Sequence, residues 1–218
     1  MVGRNLFGSP NGAYQNPVTP VRRFRSKHQL GGFSPQTKDR MNPIAWLDAE
    51  KVSGVCSPAT PELQIQQRNE RTCGPCCLLR LFNELKPTNE LIAVGSEEWV
   101  NCVKMDDGLK DHEAMVSAAE RLGLTEKEYL VKEAGDEDEM LETLSQFVSR
   151  NGSSIVGVSA PVIGGHYIVV MSVSGSLVRF FDPYHGVEAV WEFFGQGGFY
   201  EALVGEDGDD SVQMMAFT

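Results

Sequence analysis

The chain has 218 residues, 41% apolar and 22% charged, enough for one mid-sized globular domain plus a tail. Its formal charge of −11 argues against a general nucleic-acid binder, which needs a basic face. Five cysteines, three of them crowded between Cys73 and Cys77, argue against a secreted disulfide framework.

No secretory h-region and no apolar run of membrane-spanning length is visible. The expected address is therefore a reducing, cytoplasmic compartment, with leaderless export as the alternative. The charge is unevenly spread. Residues 1–50 hold seven Lys/Arg against three Asp/Glu, a net of +4 that leaves −15 for residues 51–218.

Residues 1–45 are rich in Gly, Pro, Asn, Ser and Gln around a basic knot, Arg22-Arg23-Phe24-Arg25-Ser26-Lys27. They read as an extended or disordered arm, either simply solvated or docking a partner. The domain is expected over 46–218, with Ile44, Ala45, Trp46 and Leu47 the first residues to pack. From Val52 to Ile65 the chain reads as a loop or short strand. A buried helix follows from Gly74 to Leu85, closed by Lys86-Pro87.

Residues 89–105 read as a short helix and a loop. An amphipathic helix runs from Leu109 to Leu122 with Gly123 as its stop. Tyr129–Val131 reads as an edge strand and Asp136–Val148 as a helix with acids at its N-terminus. Then come short β-rich runs, Ser154–Ser159, His166–Val173, Leu177–Asp182 and Ala189–Phe193. Ser174-Gly175 turns the second into the third, and Gln213–Phe217 closes the sheet. Helices followed by an antiparallel sheet give the α+β class.

The chemistry centres on Gln67 to Leu85. Cys73 stands at the mouth of the buried helix, where the positive end of the helix dipole favours thiolate, the nucleophilic form. Gln67, six residues upstream, offers a side-chain amide. Among the four histidines, His28 lies in the arm, His112 in a charged helix start and His185 in the turn after a strand. His166 opens an apolar strand after Gly164-Gly165, where its ring can project into a cleft. Asp182 ends the neighbouring strand, within reach of that imidazole. Cys73, His166 and Asp182 then form nucleophile, base and orienter. Gln67 is one of several glutamines in a polar loop; with the Cys73 backbone N–H it could form an oxyanion hole.

Two rival readings occupy the same residues. Cys73-Gly74-Pro75-Cys76 matches the thioredoxin tetrapeptide, but that fold needs an apolar strand leading into the motif, and Gln66–Thr72 is polar. A zinc site at Cys73, Cys76 and Cys77 needs a second ligand pair, and Cys56 and Cys102 stand alone. No metal or cofactor is expected.

Gln67 six residues before Cys73-Gly74, Gly-His-Tyr at 165–167 and Asp-Pro at 182–183 together resemble the papain-like cysteine peptidases. The match is closest to the bacteriocin-processing, double-glycine leader peptidases and their stand-alone relatives, and it covers roughly residues 60–218. The resemblance implies a helical half and a β half flanking a cleft. It assigns Cys73 as nucleophile, His166 as base, Asp182 as orienter and Gln67 to the oxyanion hole, with a peptide or protein as substrate. Exporter-linked members continue into a transporter, which this chain does not. Tyr167 and the Cys76-Cys77 pair also depart from the usual pattern. Phytochelatin synthase has a similar Cys-helix start and is a transferase. Acyl or peptidyl transfer, or a catalytically idle binding module, are thus the alternatives to hydrolysis.

Secondary features remain. Cys76 and Cys77 read as core-facing thiols, with a silencing Cys73–Cys76 disulfide as the sharper alternative. Leu30-Gly31-Gly32 looks like a double-glycine cleavage point for self-processing. The acidic Glu206–Asp210 stretch reads as a solvated loop, with calcium binding a remote option.

Overall fold

A computed structural model describes residues 51–67, 72–86, 92, 111–160, 164–205 and 211–218. The arm over 1–45, Ile44–Leu47, the elements expected over 89–105, Leu30-Gly31-Gly32 and the 206–210 acids lie outside these residues. All described residues belong to one compact unit.

Strand β1 (Val52–Cys56) leads through a 3-10 turn (Pro61–Leu63) to helix α1 (Cys73–Leu85). Helix α2 (His112–Arg121), strand β2 (Glu126–Lys132) and helix α3 (Glu137–Asn151) follow. Then come β3 (Ser154–Ala160), β4 (Gly164–Ser174), β5 (Leu177–Asp182), β6 (Val187–Glu192), a short α4 (Phe199–Val204) and β7 (Val212–Phe217). The strands form one sheet in the order β1-β6-β5-β4-β3-β7-β2, every pair antiparallel. The α+β class holds, and β2 is an edge strand as the sequence suggests.

Period-two alternation divides the strands between two cores. Val156, Val158, Ile168, Val170, Phe180 and Met214 face α3 and α4, with Trp191 and Phe199 alongside. Their neighbours Ile155, Tyr167, Val169, Phe181 and Met215 face α1 and α2. The helices thus cover both faces of the sheet instead of forming a block of their own.

The element ends follow local chemistry. Asp111 caps α2 by accepting from the Ala114 N–H at 2.9 Å, and Asp136 caps α3 by accepting from Asp138 at 2.9 Å. Gly123, expected as a stop, ends α2 at φ +71°. The β4–β5 turn is Gly175-Ser176 rather than Ser174-Gly175, because Ser174 still pairs with Leu177 and the positive φ of +60° falls on Gly175.

Helix α1 is buried from Cys73 to Asn83, including Arg80 at 1% exposure. A buried guanidinium needs partners. Arg80 ion-pairs with Glu84 and with Glu188 of β6, each at 2.7 Å, donates to the Leu63 carbonyl at 3.2 Å, and lies over the Phe181 ring. Asn83 donates to the Glu62 carbonyl at 2.8 Å. The helix therefore grips both the sheet and the 3-10 turn that leads to Gln67.

Candidate active site

Hairpin geometry brings His166 and Asp182 together. The register Val169↔Phe181 sets the start of β4 beside the end of β5. His166 Nε2 lies 2.9 Å from Asp182 Oδ1, and both residues are essentially fully buried. On its other side the His166 ring lies beside the Cys73 thiol, near enough for each to shift the other's titration. With Nε2 held by the carboxylate, Nδ1 is the nitrogen left to exchange a proton with the sulfur. Cys73, the first residue of α1, is 6% exposed. The three side chains that the sequence singles out thus meet at one point.

Their electrostatics are those of an ion pair. Burial pushes the Cys73 thiol up, but the His166 bond and charge outweigh it, helped by backbone hydrogen bonds from Tyr167 and Gly74. The net result is a thiol held below its ordinary 9.0. Burial pulls His166 down, yet the Asp182 and Cys73 bonds raise it from 6.5 to about 9. Burial also opposes ionisation of Asp182, and the bonds from His166 and His185 overcome it, holding the carboxyl well below the usual range. The arrangement favours an imidazolium between a thiol drawn toward thiolate and an ionised carboxylate.

The neighbouring thiols behave differently. Cys77 is fully buried, bonds the Tyr167 carbonyl at 3.3 Å, and is pushed well up by burial and by the nearby cysteines. Cys76 is also at 0% exposure, in the core beneath the sheet. Both are core-facing, as expected, and the described cysteines (Cys56, Cys73, Cys76 and Cys77) are free thiols. Among the described residues no group of three or more His, Cys, Asp or Glu side chains is spaced to hold a metal ion.

Gln67 is reached by a separate route. Its backbone N–H donates to the Pro183 carbonyl at 2.8 Å, directly after Asp182, and Gln66 Nε2 donates to the Tyr184 carbonyl at 3.1 Å. The 62–67 segment is thus held at Glu62 and Leu63 by Asn83 and Arg80 of helix α1 and at Gln66 and Gln67 by the 183–186 turn. Gly186 makes the clasp fit. Its φ is +65°, and a Cβ there would lie 3.1 Å from Gln66 Cβ and 3.2 Å from the Ile65 carbonyl.

Sequence reasoning missed two participants. His185, set aside as a turn residue, has its Nδ1 2.5 Å from Asp182 Oδ2. Arg80 reads as an ordinary polar position in an apolar run, because its partner Glu188 is distant in the chain. Only the Asp-Pro-Tyr-His-Gly turn, which returns the chain on itself just past Asp182, carried a usable signal for His185.

No family model matches the chain, and no curated protein matches it. Among solved structures it is similar to the Pseudomonas avirulence protein AvrPphB, at 17% identity and a TM-score of 0.42, over 71% of this chain and 96% of that one. It is also similar to a double-glycine-motif protease from an AMS/PCAT transporter, solved in complex with the leader peptide. That match has 14% identity and a TM-score of 0.42, over 77% of this chain and 94% of the other.

Proposed function

We propose that the chain is a papain-like cysteine peptidase that cleaves a peptide bond through a thioester acyl-enzyme. One observation carries this reading: a single buried imidazole, His166, set beside the Cys73 thiol and tied to the Asp182 carboxylate at 2.9 Å. That arrangement favours the nucleophilic thiolate, beside a group able to return the proton.

The steps follow from the charges. Cys73 thiolate attacks the scissile carbonyl carbon, and the developing oxyanion is met by the Cys73 backbone N–H and the Gln67 side-chain amide. The tetrahedral adduct collapses with loss of the amine, which takes the proton from the His166 imidazolium and leaves a thioester on Cys73. Neutral His166 then removes a proton from water. The resulting hydroxide attacks the thioester, and release of the carboxylic acid restores thiolate and imidazolium. Asp182 keeps the ring oriented and stabilises its charged form throughout.

The testing experiment is digestion of a diverse peptide library, with new termini identified by mass spectrometry. Cleavage by the wild-type chain that is lost in Cys73→Ala and in His166→Ala supports the reading. Cleavage that survives Cys73→Ala overturns it. Supplying a competing amine separates hydrolysis from transfer, since a transferase yields the amide of the new carboxyl terminus.

A further inference from the structure

Asp182 is held from two sides, and only one of them is His166. Oδ1 accepts from His166 Nε2 at 2.9 Å and from the Tyr184 N–H at 2.8 Å. Oδ2 faces His185 Nδ1 at 2.5 Å. His185 sits in the β5–β6 turn, which is closed by the Gly186 N–H donating to the Asp182 carbonyl at 2.8 Å. Its ring packs edge-on against Tyr184, with centroids 4.9 Å apart. The other ring nitrogen, Nε2, is buried and has no hydrogen-bond partner among the described residues. The ring's one polar tie in this set is therefore the carboxylate.

That tie answers a mechanical need. Torsion about the last bond of an Asp side chain is broad, so nothing intrinsic fixes which way the carboxylate faces. The Tyr184 N–H and His166 both load Oδ1, which leaves Oδ2 of a fully buried anion to be satisfied elsewhere. A donor on Oδ2 locks the plane and keeps Oδ1 aimed at Nε2.

We propose that His185 is a positioning residue of the site, its Nδ1–H fixing the Asp182 carboxylate so that Oδ1 holds the His166 ring in register with Cys73. The role rests on the reading of Cys73, His166 and Asp182 as a catalytic triad. It differs from structural support in demanding a donor at one particular atom. Asparagine places an amide N–H where Nδ1 stands; glutamine places it one bond further out, near Nε2, which serves nothing here; phenylalanine keeps the ring and loses the donor.

The test is the rate at which iodoacetamide alkylates Cys73, mapped by peptide mass, on the full chain at about pH 6.5, where the rate follows the thiolate fraction. His185→Phe is expected to react roughly tenfold more slowly than wild type, the equivalent of one unit in the thiol's apparent pKa. His185→Asn is expected within about threefold of wild type, and His185→Gln as slow as His185→Phe. A wild-type rate in His185→Phe, or equal rates in His185→Asn and His185→Gln, overturns the proposal. If His185→Phe shows no cooperative unfolding transition, the ratio of the Asn to the Gln variant decides alone. His166→Ala reports on the underlying reading separately. If it alkylates as fast as wild type, no ion pair exists, and the triad falls together with the role of His185.

Discussion

At the scale of single residues, the opposed shifts of Cys73 and His166 set the pH behaviour of the site. The thiol lies below 9.0 and the imidazolium persists to about 9, so the reactive pair exists between those two titrations. The rate of peptide cleavage should rise as pH climbs through the lowered Cys73 titration and fall as it passes about 9, giving a bell. A pH–rate profile checks this; a single ascending limb centred on the ordinary thiol value would contradict it. Asp182→Asn keeps the shape but loses the charge, and should cost about a hundredfold in kcat with a smaller change in KM. Cys73 and Asp182 were legible in the sequence because each marks an element boundary, a helix mouth and a strand end before Pro183. His166 was legible because Gly164-Gly165 precedes it near a strand start, although both glycines belong to β4. His185 was not legible, because its contact depends on how tightly the 183–186 turn closes, and that is set by Tyr184 and Gly186 backbone geometry.

Among the elements, α1 has two tasks: presenting Cys73 at its first turn and holding the 62–67 segment along its flank. Arg80 joins them through Glu188 on the sheet side and the Leu63 carbonyl on the other. Arg80→Met should strand Glu188, 5% exposed and left with Arg179 alone, and lower stability by about 3 kcal/mol in urea unfolding. Gly186→Ala should strain both the Gln67 clasp and the turn that carries His185. Its positive φ costs about 1–2 kcal/mol for any side chain, and the added methyl pushes against Gln66 and Ile65. The expected outcome is a loss of kcat together with slower Cys73 alkylation, since the same turn seats Gln67 and His185. Most helices and strands were readable from periodicity, but the short helix Phe199–Val204 and the Arg80 bridge were not. A single cation in an apolar helical run carries no sign of which distant carboxylate will meet it.

For the molecule as a whole, the sheet separates two cores, and the site lies where α1 meets the β4–β5 hairpin. Period-two alternation made those strands legible, while the placement of α3 on the opposite face from α1 is a tertiary choice that local pattern does not encode. Because the site is buried, its charges feed into global stability. His166, raised by folding, contributes stability that is fully present below about 6.5 and lost as pH rises through about 9. Asp182, depressed by folding, contributes above its ordinary 3.8 and loses that contribution as pH falls toward its folded value. The stability gap between wild type and Asp182→Asn should therefore be widest between those two ordinary values and narrow towards alkaline pH. Urea midpoints measured across the range check this. No helix among the described residues is long and apolar enough to cross a membrane.

One sulfur is unlike its neighbours. Cys73, Cys76 and Cys77 lie within two turns of one helix, and Cys73 is the one whose thiol His166 draws toward thiolate while burial pushes Cys77 up. Treating the full chain with an electrophilic peptide probe and mapping the adduct by mass should place it on Cys73, with His166→Ala abolishing the modification. An adduct confined to Cys76, Cys77 or the exposed Cys56, with Cys73 unmodified, would contradict it.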